Sequence, residues 1–185
     1  LRDYLGMVST GEVSIAVKPQ YIDRLPRIFD GEVRELLARV DDRGEMENYT
    51  ELMGISHILD RKIGDLSGGE LQRVAICATL LKEADVYFFD EPSSYLDIYE
   101  RMRMVGVVRG LAEKGKRVLV VEHDLAILDV LCDSIHVIYG ERSAYGIFTP
   151  PRSTRAAINA YLDGFLPEEN VRSRDKPIQF LRGRT

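Results

Sequence analysis

Two acidic residues, Asp90 and Glu91, close the apolar run Val86-Tyr87-Phe88-Phe89. In parallel α/β sheets, ligands gather at the carboxyl ends of strands. An acid there is placed to hold Mg2+, usually through water, beside a phosphate. Neighbouring strand residues point to opposite faces. Because the strand ends here, both carboxylates can still face one site. Two acids allow two roles: Asp90 on the metal and Glu91 polarising an attacking water. A lone Asp-Glu pair is also a common solvated strand end, so the context decides. Upstream, Leu66-Ser67-Gly68-Gly69-Glu70-Leu71-Gln72-Arg73 opens an apolar helix from about Gly69 to Leu81. Ser67 is a good N-cap. The glycines let a phosphate approach the backbone, and first-turn amides with the helix dipole favour anions. Many Ser-Gly-Gly caps are only turns. This one stands one helix before Asp90-Glu91, which raises it above that.

Alternating strands and helices must position these residues. Val86 to Asp90, Val118 to Val121 and Ile135 to Tyr139 read as strands. Ile98 to Lys114 and Asp124 to Cys132 read as the helices between them, with Met102, Val105, Val108 and Leu111 on one face of the first. Continuous β-branched runs predict strands covered on both faces of a mostly parallel sheet. The fold class is α/β with right-handed crossovers. Glu12 to Val17 alternates like a strand. Gly31 to Val40 and Glu45 to Met53 read as helices separated by Asp41-Asp42-Arg43-Gly44, so residues 31–82 form a helical subdomain. Tyr145 to Phe148 suggests one strand of a hairpin, and Pro150-Pro151 breaks the chain. Ser153 or Thr154 can cap a helix running to about Leu166. The organisation expected is a core over 1–149 and a hinge or linker over 150–185.

Composition narrows the classes. Hydrophobic residues at 45% and charged residues at 30% describe a soluble globular chain. No apolar run approaches the roughly 18–20 residues of a membrane helix. Asp plus Glu outnumber Lys plus Arg by 30 to 25, a formal charge of -5, so nucleic-acid contact must rest on a local basic patch. Cys77 and Cys132 are too few for a disulfide scaffold, an iron–sulfur cluster or a zinc site, and both are expected as buried, reduced thiols. No signal peptide is evident, so a cytoplasmic location is expected. The chain starts Leu1-Arg2-Asp3 without Met and reads as an internal piece of a longer protein.

The motifs together resemble those of the ABC ATPase superfamily. Leu66 to Glu70 is similar to the signature motif and Val86 to Pro92 to Walker B. Ser94-Tyr95-Leu96-Asp97 is similar to the D-loop, Val121-Glu122-His123-Asp124 to the switch-histidine segment, and Lys18-Pro19-Gln20-Tyr21 to the Q-loop. Within that superfamily, Lys18 to Asp23, Tyr87 to Asp97 and Val118 to Ala126 resemble the first nucleotide-binding domain of the class E proteins. These are the RNase L inhibitor family of ribosome-recycling ATPases. Tyr145 to Phe148, Ser153-Thr154-Arg155, Ile158-Asn159 and Glu169-Asn170-Val171-Arg172 are similar to that family's hinge. Leu1 to Thr10 is similar in place to the end of its helix–loop–helix insertion.

The resemblance implies a role for each motif residue. Gln20 would contact Mg2+ and the attacking water. Asp90 would bind Mg2+, Glu91 would be general base, and His123 would hydrogen-bond the γ-phosphate of ATP. Ser67, Gly68, Gly69 and Glu70 would belong to the nucleotide site of the opposite domain, and Asp97 would couple the two sites. The partners implied are a second nucleotide-binding domain of the same protein, the small ribosomal subunit with its RNA, and a release or rescue factor, with no membrane. Iron–sulfur clusters would belong to a domain upstream. Arg152, Arg155, Arg172 and Arg174 are the candidate RNA contacts, since guanidinium suits phosphate. A solvated linker is the alternative reading of that tail.

One departure stands out. A P-loop needs G-x-x-x-x-G-K-[ST] leading from a strand into a helix. Gly110 to Arg117 comes near, but ends in Arg117 and reads from a helix into a strand. It is read as a helix C-terminus, with the true P-loop expected before Leu1. Without it the chain alone would bind ATP weakly or not at all. Two other functions fit the motifs: the ATPase subunit of an ABC transporter, and a non-hydrolysing half-site that supplies only the signature.

Overall fold

The computed structural model describes residues 10–141, 144–167, 170–172 and 176–178. Glu169 and Arg174 of the expected hinge and the segment 1–9 lie outside them. The chain divides into two compact units, residues 1–127 and 128–185.

The first unit is built on three parallel strands, β1 (Ile15–Lys18), β2 (Val86–Asp90) and β3 (Arg117–Val121), in the order β1-β2-β3. The register sets Ala16, Tyr87 and Val118 side by side, and Val17, Phe88 and Leu119 side by side. Tyr87 and Phe89 are fully buried, whereas Val17 is 53% and Leu119 45% exposed. Continuous apolar runs therefore did not mean coverage of both faces: β1 buries one face and leaves the other open, and every residue of β3 is exposed or half-buried. β1 shows this as a period-two alternation, with Ala16 and Lys18 buried between the exposed Ile15 and Val17.

After the single turn α1 (Leu25–Ile28) comes a helical layer of α2 (Val33–Val40), α3 (Met46–Leu52) and α4 (Gly68–Leu81). Asp41 starts α3 by accepting hydrogen bonds from the amides of Glu45 and Met46, both at 3.0 Å. The turn Asp41 to Gly44 thus both separates and caps. α2 and α3 pack on α4, and α4 packs in turn on β1 and β2. Val33, Leu37, Met53, Val74, Cys77 and Leu80 make the dry core between them.

Helix α5 (Ile98–Glu113) buries Met104, Val105, Val108 and Leu111. Met104 replaces Met102, which is 45% exposed. The buried stripe begins with the adjacent pair 104–105 rather than with the three-residue step from 102. α5 ends at Gly115, whose φ of +80° suits glycine, and the chain enters β3 two residues on. Gly110 to Arg117 is thus a helix C-terminus, running in the direction opposite to that of a P-loop. Asp124 caps α6 (Leu125–Leu131) by accepting from the amide of Ala126 at 2.9 Å.

In the second unit, Ile135 to Tyr139 is not a further strand of the parallel sheet. β4 (Ser134–Ile135) pairs antiparallel with β7 (Arg152–Ser153), and β5 (Ile138–Glu141) forms a hairpin with β6 (Tyr145–Phe148). Thr149 separates the two pairs: its carbonyl bonds His136 Nδ1 at 2.8 Å, and its hydroxyl accepts from the Val137 amide at 2.9 Å. Helix α7 (Thr154–Asp163) starts after Ser153, whose side chain makes no cap bond. The Thr154 hydroxyl donates instead to the Cys132 carbonyl at 2.8 Å. The helix stops before Leu166 because Gly164 takes a left-handed φ of +67°. β8 (Phe165–Leu166) then pairs with β9 (Val171–Arg172).

The expectation of two buried thiols holds for one. Cys77 is fully buried and burial pushes its thiol up to about 12, but Cys132 is only half-buried. Among the described residues, no helix is long and apolar enough to cross a membrane.

Candidate active site

Three of the residues singled out in the sequence meet at the carboxyl end of the sheet. Gln20, just past β1, donates through Nε2 to Glu91 Oε1 at 2.9 Å. His123, just past β3, places Nε2 3.1 Å from the same oxygen. Glu91 follows β2, the central strand, so its neighbours on both sides supply one partner each. Its other oxygen, Oε2, accepts from Ser94 Oγ at 3.4 Å. The carboxylate is mostly shielded, whereas His123 is largely exposed. A carboxylate held by an amide and an imidazole, with one edge toward solvent, can orient a water and accept its proton.

The backbone beneath this carboxylate is unusual. Glu91 has a φ of +46°, a left-handed value that costs a non-glycine residue about 1–2 kcal/mol. It lets the side chain turn back over the strand end instead of following the strand alternation. The Glu91 amide still donates to the Val121 carbonyl at 2.8 Å, as a continuation of the sheet.

Three supporting residues carry no assignment in the sequence reading. Lys18 is fully buried at the end of β1 and donates from Nζ to the Asp90 carbonyl at 2.7 Å. Burial lowers its pKa to about 8, against the opposing pull of Asp90, Glu91 and Glu122. Gln72, also fully buried, donates from Nε2 to the carbonyls of Glu91 and Pro92 at 2.9 and 3.0 Å. Glu122 accepts from the amides of His123 at 2.8 Å and Ser93 at 3.3 Å, so it fixes the loop that carries the histidine. One of the three was signalled: Gln72 interrupts the apolar stripe of α4 that continues through Ile76 and Leu80. A polar residue in an inward position needs a partner. Lys18 was not signalled, because Val13, Ile15 and Val17 set the apolar phase of β1 in the sequence and Lys18 falls out of phase with them. Glu122 gave no such signal.

Asp90 lies beside the buried Lys18 ammonium, one residue before Glu91. With the Gln20 amide nitrogen on Glu91, its side-chain oxygen is left as a hard donor. Mg2+ takes hard oxygen ligands, keeps several waters and usually binds through one or two protein oxygens plus phosphate. Asp90 and Gln20 each carry an oxygen of that kind at this strand end. Among the described residues, no three His, Cys, Asp or Glu side chains gather as a self-sufficient metal site.

The remaining candidates form a second cluster at the start of α4. Ser67 accepts from the Glu70 amide at 3.3 Å, and Glu70 Oε2 accepts from the Ser67 amide at 2.8 Å. Arg61 completes the arrangement at 2.7 Å from Glu70 Oε1. The Ser67 amide above all, with the Ser67 hydroxyl and Arg61, lowers the Glu70 carboxyl against the effect of its burial. Gly68 and Gly69 sit against the D-loop: a Cβ on Gly68 would stand 3.2 Å from the Tyr95 ring, and one on Gly69 3.0 Å from the Tyr95 carbonyl oxygen. Asp97 caps α5, accepting from the Glu100 amide at 2.9 Å. Gln72 is the physical link between this cluster and Glu91.

In the second unit, Arg152 lies in β7, Arg155 on the first turn of α7 and Arg172 in β9, with its guanidinium 5.8 Å from the Phe165 ring.

The ABC transporter family model matches residues 8–94. The chain is 48% identical over 97% of its length to an uncharacterised ABC transporter ATP-binding protein of Methanocaldococcus jannaschii, of which it covers 29%. It is 43% identical over 97% of its length to ABC transporter E family member 1 of Arabidopsis thaliana, of which it covers 30%. The solved structure of the archaeal ribosome recycling factor aABCE1, in complex with ribosomal stalk protein aP1, superposes with a TM-score of 0.92 at 51% identity. That match covers 99% of this chain and 35% of the other. The chain belongs to the class E family of ABC ATPases. Its α/β fold, parallel strands and helical layer are those of an ABC ATPase domain. This class E chain spans about a third of the length of these relatives.

Proposed function

We propose that these residues are part of the first nucleotide-binding domain of a ribosome-recycling ATPase that splits ribosomal subunits by ATP-driven domain closure. The observation that carries the reading is the convergence of Gln20 and His123 on Glu91 at the end of the central strand. Glu91 orients a water in line with the γ-phosphoryl group and takes its proton. His123 holds a γ-phosphate oxygen, and Gln20 reports its presence to Glu91. Asp90 and Gln20 hold Mg2+, which supplies charge neutralisation on the phosphates. Ser67, Gly68, Gly69 and Glu70 present an amide-rich helix start to the ATP of the second nucleotide-binding domain, with Asp97 coupling the two sites.

The whole protein in this reading is cytoplasmic. Its P-loop and iron–sulfur domain precede these residues, and residues 150–185 serve as its hinge. Its partners are the small ribosomal subunit and a release or rescue factor. The fold also suits the ATPase subunit of a transporter, but the likeness to a ribosome recycling factor over 99% of the chain favours the first reading. Arg152, Arg155, Arg172 and Arg174 supply phosphate contacts to ribosomal RNA.

The test is co-sedimentation of the full-length protein with small ribosomal subunits across a salt series. Changing the four arginines to Ala should weaken association and flatten the salt dependence by about 0.7–0.9 units of slope per lost phosphate contact. An unchanged slope returns the segment to a linker. Failure of the intact protein to bind subunits with Mg-ATP overturns the reading.

A further inference from the structure

Glu91 acts only if its carboxylate points back over the strand end, and that direction is set by its backbone. A left-handed non-glycine residue persists only where the surroundings over-determine it. Here the amide is held by the Val121 carbonyl at 2.8 Å. The carbonyl side is held by side chains: Gln72 Nε2 bonds Glu91 O and Pro92 O, and Lys18 Nζ bonds Asp90 O, with Glu91 O at 3.4 Å. Three consecutive carbonyls are thus gripped by two fully buried donors from different elements.

We propose that Lys18 and Gln72 are positioning residues for Glu91, fixing the left-handed turn that aims its carboxylate at Gln20 and His123. The inference rests on the reading of Glu91 as the water-orienting group. Packing alone does not call for these residues. A buried ammonium and a buried amide are costly, and an apolar side chain of similar length would fill either space. Among the described residues, Gln72 Oε1 is buried with no hydrogen-bond partner. An amide whose acceptor goes unmet is held there by what its two N–H groups do, and both go to the Glu91–Pro92 backbone. The placement has a consequence for signalling. Lys18 lies two residues before Gln20, and Gln72 lies one turn after Ser67-Gly68-Gly69. The segment that contacts one nucleotide and the helix start that faces the other therefore end on the same turn, and a shift in either moves the carboxylate.

The experiment uses the full-length protein with Gln72→Met and Lys18→Met, each near in length to the residue it replaces. ATP binding, kcat, KM and thermal midpoint are measured for both, and for Glu91→Gln alone and combined with Gln72→Met. Each single positioning variant should lower kcat by about 10- to 100-fold, the scale of an ångström-sized misplacement, with KM within about twofold. Gln72→Met should lower the residual turnover of Glu91→Gln no further, which a general loss of structure would not achieve. Wild-type kcat in both single variants, or an equal fold-loss with and without Glu91, overturns the inference. If one variant does not fold, the other decides alone. Wild-type turnover in Glu91→Gln would instead defeat the reading of Glu91 itself, so the two failures are distinct.

Discussion

Arg73 Nη2 lies 3.0 Å from Glu100 Oε1, and both side chains are mostly shielded from solvent. The pair ties the signature helix to the cap of α5, because Glu100 Oε2 also accepts from the Asp97 amide at 3.0 Å. Arg73 meanwhile donates to the Gly54 carbonyl at 2.9 Å. Glu100→Ala removes the cap partner and leaves the guanidinium without this carboxylate, held by backbone carbonyls. The expected loss is about 2–3 kcal/mol, between the ~1 kcal/mol of a cap and the ~3–5 kcal/mol of a broken buried pair. Urea unfolding of the chain measures it, and a change below about 0.5 kcal/mol, the range of an ordinary surface substitution, would contradict the coupling.

Glu70 gives a pH dependence with a definite sign. Its carboxyl is lowered by the Ser67 amide first, then by the Ser67 hydroxyl and Arg61. A folded pKa below the unfolded one means that stability is fully present above the ordinary carboxylate range. It is lost as pH falls through the folded value. Glu70→Gln should therefore lower stability at neutral pH and flatten the acid limb of the stability curve. Equal acid slopes in the two proteins, from urea midpoints at successive pH values without nucleotide, would count against it.

Much of the site is legible in the sequence. Gln20, Glu91 and His123 were found by motif and do meet, because parallel strands in register bring three strand ends to one edge. The misreadings have local causes. Ile135 to Tyr139 looked like a sheet strand because its apolar content matched β3. The side chain of Thr149, twelve residues on, decided otherwise by taking the Val137 amide. In α5 the three-residue steps from Met102 drift around a helix of about 3.6 residues per turn, so Met102 ends half a turn away from Leu111. Met104 lies seven residues before Leu111 on the same face and is the buried one. Met104→Ala should cost about 2–5 kcal/mol as a core deletion, and Met102→Ala about 0.5 kcal/mol or less. Comparable losses for both in urea unfolding would contradict the assigned face. The burial of Gln72 is readable from the apolar stripe that it interrupts, but the partners of Lys18 and Gln72 are backbone carbonyls 72 and 19 residues away, and no local pattern announces those.

The central claim is that Glu91 orients and deprotonates the water that attacks ATP. Its most direct measurement is single-turnover hydrolysis by the full-length protein carrying Glu91→Gln, alongside its affinity for Mg-ATP. The account predicts that affinity is kept while the hydrolysis rate falls by about 10²–10⁴-fold, the usual contribution of a positioned general base. Hydrolysis at the wild-type rate with binding intact would contradict it.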